Sequence, residues 1–148
     1  MPVSLSSAAP RGVARVLLAD AGLASRLTLK SILSAAGYCV SGVASGAEAI
    51  GKLDEDEYQL VLADLRSESD EAGPRLLAYA KQKEFRPATA LLSSDLHETS
   101  PSNDFAGGSD HRAVHISYED VSYLIGHVAD LISRRAGRRV RQSLLKPA

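Results

Sequence analysis

Short apolar blocks alternate with amphipathic stretches along the chain. Arg15-Val-Leu-Leu-Ala-Asp20 is an apolar run that ends on a carboxylate. A run without polar alternation suits a strand covered on both faces, as in a parallel sheet. Leu29, Ile32, Leu33 and Ala36 then recur at i, i+3, i+4 and i+7, which predicts a helix stopped by Gly37. Tyr38-Cys-Val-Ser-Gly-Val-Ala44 alternates weakly and reads as a second strand. Ser45-Gly-Ala-Glu48 has capping-box spacing, so a helix is expected to start there and carry Ala49, Ile50 and Leu53. The acidic run Asp54-Glu-Asp-Glu57 reads as a solvated turn.

Leu60-Val-Leu-Ala63 predicts a third strand, ending at Asp64 and followed by a polar loop. Pro74 suits the first turn of a helix that would carry Leu76, Leu77, Ala80 and Lys83. Ala88-Thr-Ala-Leu-Leu-Ser93 is a fourth strand that ends on a hydroxyl. Residues 94–111 are interrupted by Pro101, Gly107 and Gly108 and lack helical spacing, so a short frayed helix or a loop is expected. Ala113-Val-His-Ile116 reads as a brief fifth strand. Ser117 is then expected to cap an amphipathic helix with Val121, Leu124, Ile125, Val128 and Ile132 on one face.

Strands alternating with helices of this length predict a doubly wound α/β domain around a five-stranded parallel sheet. Sites in such sheets form beyond the carboxyl ends of the strands. Asp20, Asp64 and Ser93 each close a predicted strand, so all three are expected on one edge.

Bulk properties narrow the choice. A chain of 148 residues suits one domain with a proper core. Residues 1–13, rich in Ser, Ala and Pro, read as a flexible arm, 14–133 as the domain and 134–148 as a basic tail. The net charge of -1 gives no overall bias towards nucleic acid or membrane. No apolar stretch approaches the ~18 residues of a membrane span. The amino terminus lacks the basic start and apolar run of a signal peptide, so the cytoplasm is expected. Cys39 is the single cysteine, which excludes an internal disulfide and a cysteine metal cluster; it reads as a small buried hydrophobe. His97, His111 and His127 have no metal-ligand spacing. Without a nucleophile–base pair, a Gly-rich phosphate loop or a metal motif, an independent enzyme is not expected. In the tail, Arg134, Arg135, Arg138, Arg139, Arg141 and Lys146 follow the last acid, Asp130. They read as a solvated helix end favoured by the helix dipole. The alternative is a contact for nucleic acid or an acidic partner. Base stacking has no support, since no aromatic residue interleaves with the arginines.

Over residues 14–133 the sequence resembles the receiver domain of bacterial two-component response regulators. The residues that carry the likeness are Asp20; Arg26, Leu29, Leu33 and Gly37; Ser45-Gly-Ala-Glu-Ala-Ile50; Tyr58-Gln-Leu-Val-Leu-Ala-Asp64-Leu; and Ser93. The resemblance implies a flavodoxin-like sheet of order 2-1-3-4-5. It also implies Asp64 as phosphoacceptor, Ser93 as switch hydroxyl, Asp20 with Asp64 at a Mg²⁺ site, and a protein partner such as a histidine kinase. The departures are specific. The second acid of the pair, a direct Mg²⁺ ligand in the family, is Ala21. The Met-Pro after the phosphoacceptor is absent, with Ser67 and Glu68 nearby, and the loop to Gly73 is one residue longer. His115-Ile116 stands where the family has Lys followed by a cis Pro, and Pro and Gly erode the fourth helix.

A receiver takes a phosphoryl group onto its Asp carboxylate, so the protein must position that nucleophile and neutralise the phosphoryl oxygens. The metal and the Lys act as charge clamps. Charge-assisted hydrogen bonds contribute roughly 1.5–3 kcal/mol each, so losing two costs ~3–6 kcal/mol, or about 10²–10⁴ in rate. Protonated His115 would replace part of the lost cation. The expectation is an atypical receiver with a weakened Mg²⁺ site and weak or absent phosphorylation at Asp64, acting by protein contact. A conventional phosphoryl-accepting regulator and a binder acting through the Arg-rich tail are the alternatives. The residues outside 14–133 are too few for a DNA-binding output domain, so output is expected through the domain's own surface.

Overall fold

The computed structural model describes residues 13–93, 114–117 and 120–145. Five strands, β1 (Arg15–Asp20), β2 (Cys39–Val43), β3 (Leu60–Asp64), β4 (Ala88–Ser93) and β5 (His115–Ser117), form one sheet in the order β2-β1-β3-β4-β5. Every pairing is parallel. Four helices accompany them: α1 (Leu23–Ala35), α2 (Gly46–Glu55), α3 (Ala72–Lys81) and α4 (Val121–Leu145). The doubly wound class and the strand order agree with the sequence reading. The expected frayed helix or loop over 94–111 lies outside the described residues.

The two faces of the sheet explain why the strands read as unbroken apolar runs. Leu17, Ala19, Val61 and Ala63 pack with Ala49 and Leu53 of α2 and with Leu76, Leu77 and Ala80 of α3. Val16, Leu18, Leu60, Leu62, Ala90 and Ile116 pack with Leu29 and Leu33 of α1 and with Leu124 and Val128 of α4. Alternate residues of one strand thus enter opposite cores, and neither set can be polar. Burying a Leu fully is worth about 1.5–3 kcal/mol, so both layers of helices are held by the same strands.

Local signals set the element ends. α1 stops because Gly37 takes φ 104°, which costs little without a Cβ. Its N–H donates to Ser34 O at 3.0 Å and the Tyr38 N–H to Leu33 O at 3.2 Å, which satisfies the last turn of α1. At α2, Ser45 Oγ accepts from the Glu48 N–H at 3.1 Å, as the capping-box spacing requires. The return bond runs from the Ala44 N–H to Glu48 Oε1 at 2.8 Å, one residue before the cap. The start of α4 differs from the sequence expectation. Ser117 belongs to β5, paired with Ser93, and the cap is Asp120, whose Oδ1 accepts from the Tyr123 N–H at 3.2 Å. A serine whose backbone pairs in the ladder is too early to cap a helix that starts at Val121. Lys83 also falls beyond the end of α3; its Nζ lies 2.6 Å from Asp54 Oδ1. That carboxylate is held below its ordinary pKa first by the Lys83 hydrogen bond and then by the one from Tyr79.

The basic segment from residue 134 continues α4 as helix to Leu145. Arg134 pairs with Asp130 at 3.0 Å on the exposed side. Arg135 is buried and donates to Phe85 O at 2.6 Å and Arg86 O at 3.1 Å. Among the described residues, no helix is long and apolar enough to cross a membrane.

Candidate functional site

β1 and β3 place Asp20 and Asp64 as direct register partners at their carboxyl ends. The ladder carries on past them, with the Ala21 N–H donating to Asp64 O at 3.2 Å. Two like charges in one row need separate neutralisation. The surrounding residues provide it differently for each.

Asp20 is buried. Its Oδ1 accepts from the Gly22 N–H at 2.9 Å and its Oδ2 from the Ser25 hydroxyl at 2.6 Å. Its backbone carbonyl accepts from Arg26 Nη1 at 2.7 Å. The carboxylate therefore organises the entry to α1, whose own cap residue, Gly22, has no side chain to do so. A Cβ at Gly22 would lie 2.9 Å from Ser25 Oγ, so the absence of a side chain here preserves that bond.

Asp64 has a side chain only 11% exposed, and Arg66 supplies its positive partner. Arg66 Nε donates to Oδ1 at 3.1 Å and Nη2 to Oδ2 at 3.4 Å, so the guanidinium fork spans both oxygens. The sequence reading missed Arg66. An arginine in a polar loop carries no periodic signal, and only its position two residues after the strand-end acid marks it. Glu68 is engaged elsewhere: its Oε1 accepts from the Gly46 N–H at 3.2 Å and ties the loop after β3 to the start of α2. A carboxylate at a helix amino terminus is favoured by the dipole.

The other sequence candidates reach the same edge at different depths. Ser93 closes β4 opposite Ser117. His115 pairs with Leu91, which pairs on its other side with Ala63, so His115 stands one row before Asp64. His115 nevertheless lines, with Asp64, Arg66, Asp70, Gly73 and Pro74, a cavity of about 200 Å³ beside the edge. Gly73 permits the wall: a Cβ there would lie 2.8 Å from Leu91 Cδ2. Ala21 packs against the apolar cluster under α2 and α3. Among the described residues, no group of three or more His, Cys, Asp or Glu side chains could hold a metal ion.

No family model matches the chain, and no curated protein does. Solved structures do. A response regulator receiver protein from Sinorhizobium medicae aligns at 24% identity and TM-score 0.68, covering 84% of this chain and 98% of that one. The chemotaxis response regulator CheY4 of Vibrio cholerae aligns at 20% identity and TM-score 0.66, covering 80% and 98%. The receiver domain of a Pseudomonas aeruginosa sensor histidine kinase, a structure with magnesium coordinated in its active-site cleft, aligns at 18% identity and TM-score 0.64, covering 82% and 98%. Strand order, edge carboxylates and these likenesses converge: the chain has the fold of the CheY-like receiver domains of response regulators.

Proposed function

We propose that this chain is an atypical receiver of two-component signalling, a binding module rather than an enzyme, in which phosphorylation at Asp64 is weak or absent. One observation carries the reading: within a receiver fold, the strand-end carboxylate Asp64 is bridged by the protein's own Arg66, at 3.1 and 3.4 Å. A nucleophile with both oxygens in a guanidinium fork has fewer lone pairs directed at an incoming phosphorus. The donor set also does not suit a divalent cation. Both Asp20 oxygens already accept hydrogen bonds, Ala21 offers no ligand, and Arg66 brings like charge to the place a cation would take.

Partner contact is supported by where apolar surface is left uncovered. Among the described residues, the exposed large hydrophobic side chains are Leu23 and Leu27, one turn apart at the start of α1, and Val121 and Tyr123 in the first turn of α4. Both helix starts follow strand carboxyl ends, so this apolar surface lies toward the same end of the sheet as Asp20 and Asp64. We propose that a protein partner, such as a histidine kinase, docks there.

Intact mass after incubation with acetyl phosphate and Mg²⁺, beside an Asp64→Asn control, tests the reading. The expected result is an unmodified or only slightly modified wild type, with any adduct absent from Asp64→Asn. Near-stoichiometric phosphorylation of wild type, lost in the variant, would instead make the chain a conventional phosphoryl acceptor.

A further inference from the structure

We infer that Arg66 is the resident counter-cation of Asp64, and that it excludes divalent metal from the carboxyl edge of the sheet. Three observations meet here. The guanidinium contacts both Asp64 oxygens, so a cation binding there must displace it or share the carboxylate with it. The neighbouring carboxylate is already engaged, since Asp20 directs one oxygen to the Gly22 N–H and the other to the Ser25 hydroxyl, which leaves it a weaker metal ligand. The residue between Asp20 and that loop is Ala21, packed on an apolar cluster. Asp70 is the other acid lining the adjoining cavity.

The charge arithmetic sets the direction. A guanidinium bound through two nitrogens neutralises one carboxylate, and a dication placed against the same oxygens would meet it at a few ångströms. Repulsion of that kind, together with the loss of the ion pair, weakens metal binding by roughly tenfold even at a partly screened site. Arg66 is itself 46% exposed, so removing it takes little from the core. The inference concerns the charge state of the edge and holds whether or not Asp64 ever receives a phosphoryl group.

The test is a Mg²⁺ titration of the full chain at low ionic strength, read by amide chemical shifts across the loop after β3. Wild type, Arg66→Ala, Arg66→Lys and Arg66→Ala with Asp64→Asn are compared, and spectral dispersion reports folding in each. Arg66→Ala is expected to bind Mg²⁺ at least about tenfold more tightly than wild type. Arg66→Lys, which keeps the charge without the fork, is expected to fall between them, and Asp64→Asn to abolish the gain. Equal affinity in wild type and Arg66→Ala, including no measurable binding by either, would overturn the inference.

Discussion

Asp20 and Asp64 have the same side chain and stand in the same row, yet they are satisfied by different chemistry. Asp20 accepts hydrogen bonds from the Gly22 N–H and from Ser25 in the first turn of α1, whereas Asp64 meets a guanidinium. The first arrangement is a structural cap with a charge, and it has a measurable consequence. Asp20→Ala is expected to destabilise the fold by about 1–3 kcal/mol, since the Gly22 N–H and the Ser25 hydroxyl lose their acceptor. Urea unfolding monitored by circular dichroism would read this. A stabilised variant would mean that repulsion between the two carboxylates outweighs the cap. Both acids were legible in the sequence because each ends an apolar run. Their partners were not. Ser25 in the first turn of α1 and Arg66 in the loop after β3 are polar residues whose spacing does not say which oxygen they will meet.

The elements show a similar division between what pattern reveals and what packing decides. The central strands β1 and β3 were readable because a strand buried on both faces admits no polar residue along its length. The helices were readable because one face must be apolar. The start of α4 was not: Ser117 and Asp120 both precede an apolar stripe, and only the pairing of Ser117 with Ser93 decides between them. The basic segment is the sharper case. Its arginines read alike in sequence, but Arg134 makes an exposed pair one turn from Asp130, while Arg135 points into the loop before β4 and binds two backbone carbonyls. Arg135→Ala is therefore expected to cost about 1.5–3 kcal/mol. For a chain of this size that corresponds to a fall in Tm of roughly 3–12 °C. Arg134→Ala should stay within about 0.5 kcal/mol of wild type. Thermal melts of the two variants side by side check the contrast. Equal, small effects would mean that Arg135 is as dispensable as an exposed residue.

At the scale of the whole molecule, the described helical layers and the sheet between them bring charge and exposed apolar side chains to the carboxyl end of the sheet. The sheet order pairs Asp20 with Asp64 there, and the starts of α1 and α4 bring Leu23, Leu27, Val121 and Tyr123 toward the same end. A receiver that signals by phosphorylation must change when its acid is modified. Under the proposed function, the acid neutralised by Arg66 leaves the partner surface displayed without that step. Beryllofluoride, a mimic of a phosphorylated carboxylate, separates the two most directly. Amide spectra of the full chain would be recorded with Mg²⁺, with and without the mimic, beside Asp64→Asn. The predicted result is that resonances of the loop after β3 and of the ends of β4 and β5 hold their positions. Saturable shifts in wild type that vanish in Asp64→Asn would contradict it, and would show a pocket that Arg66 does not close.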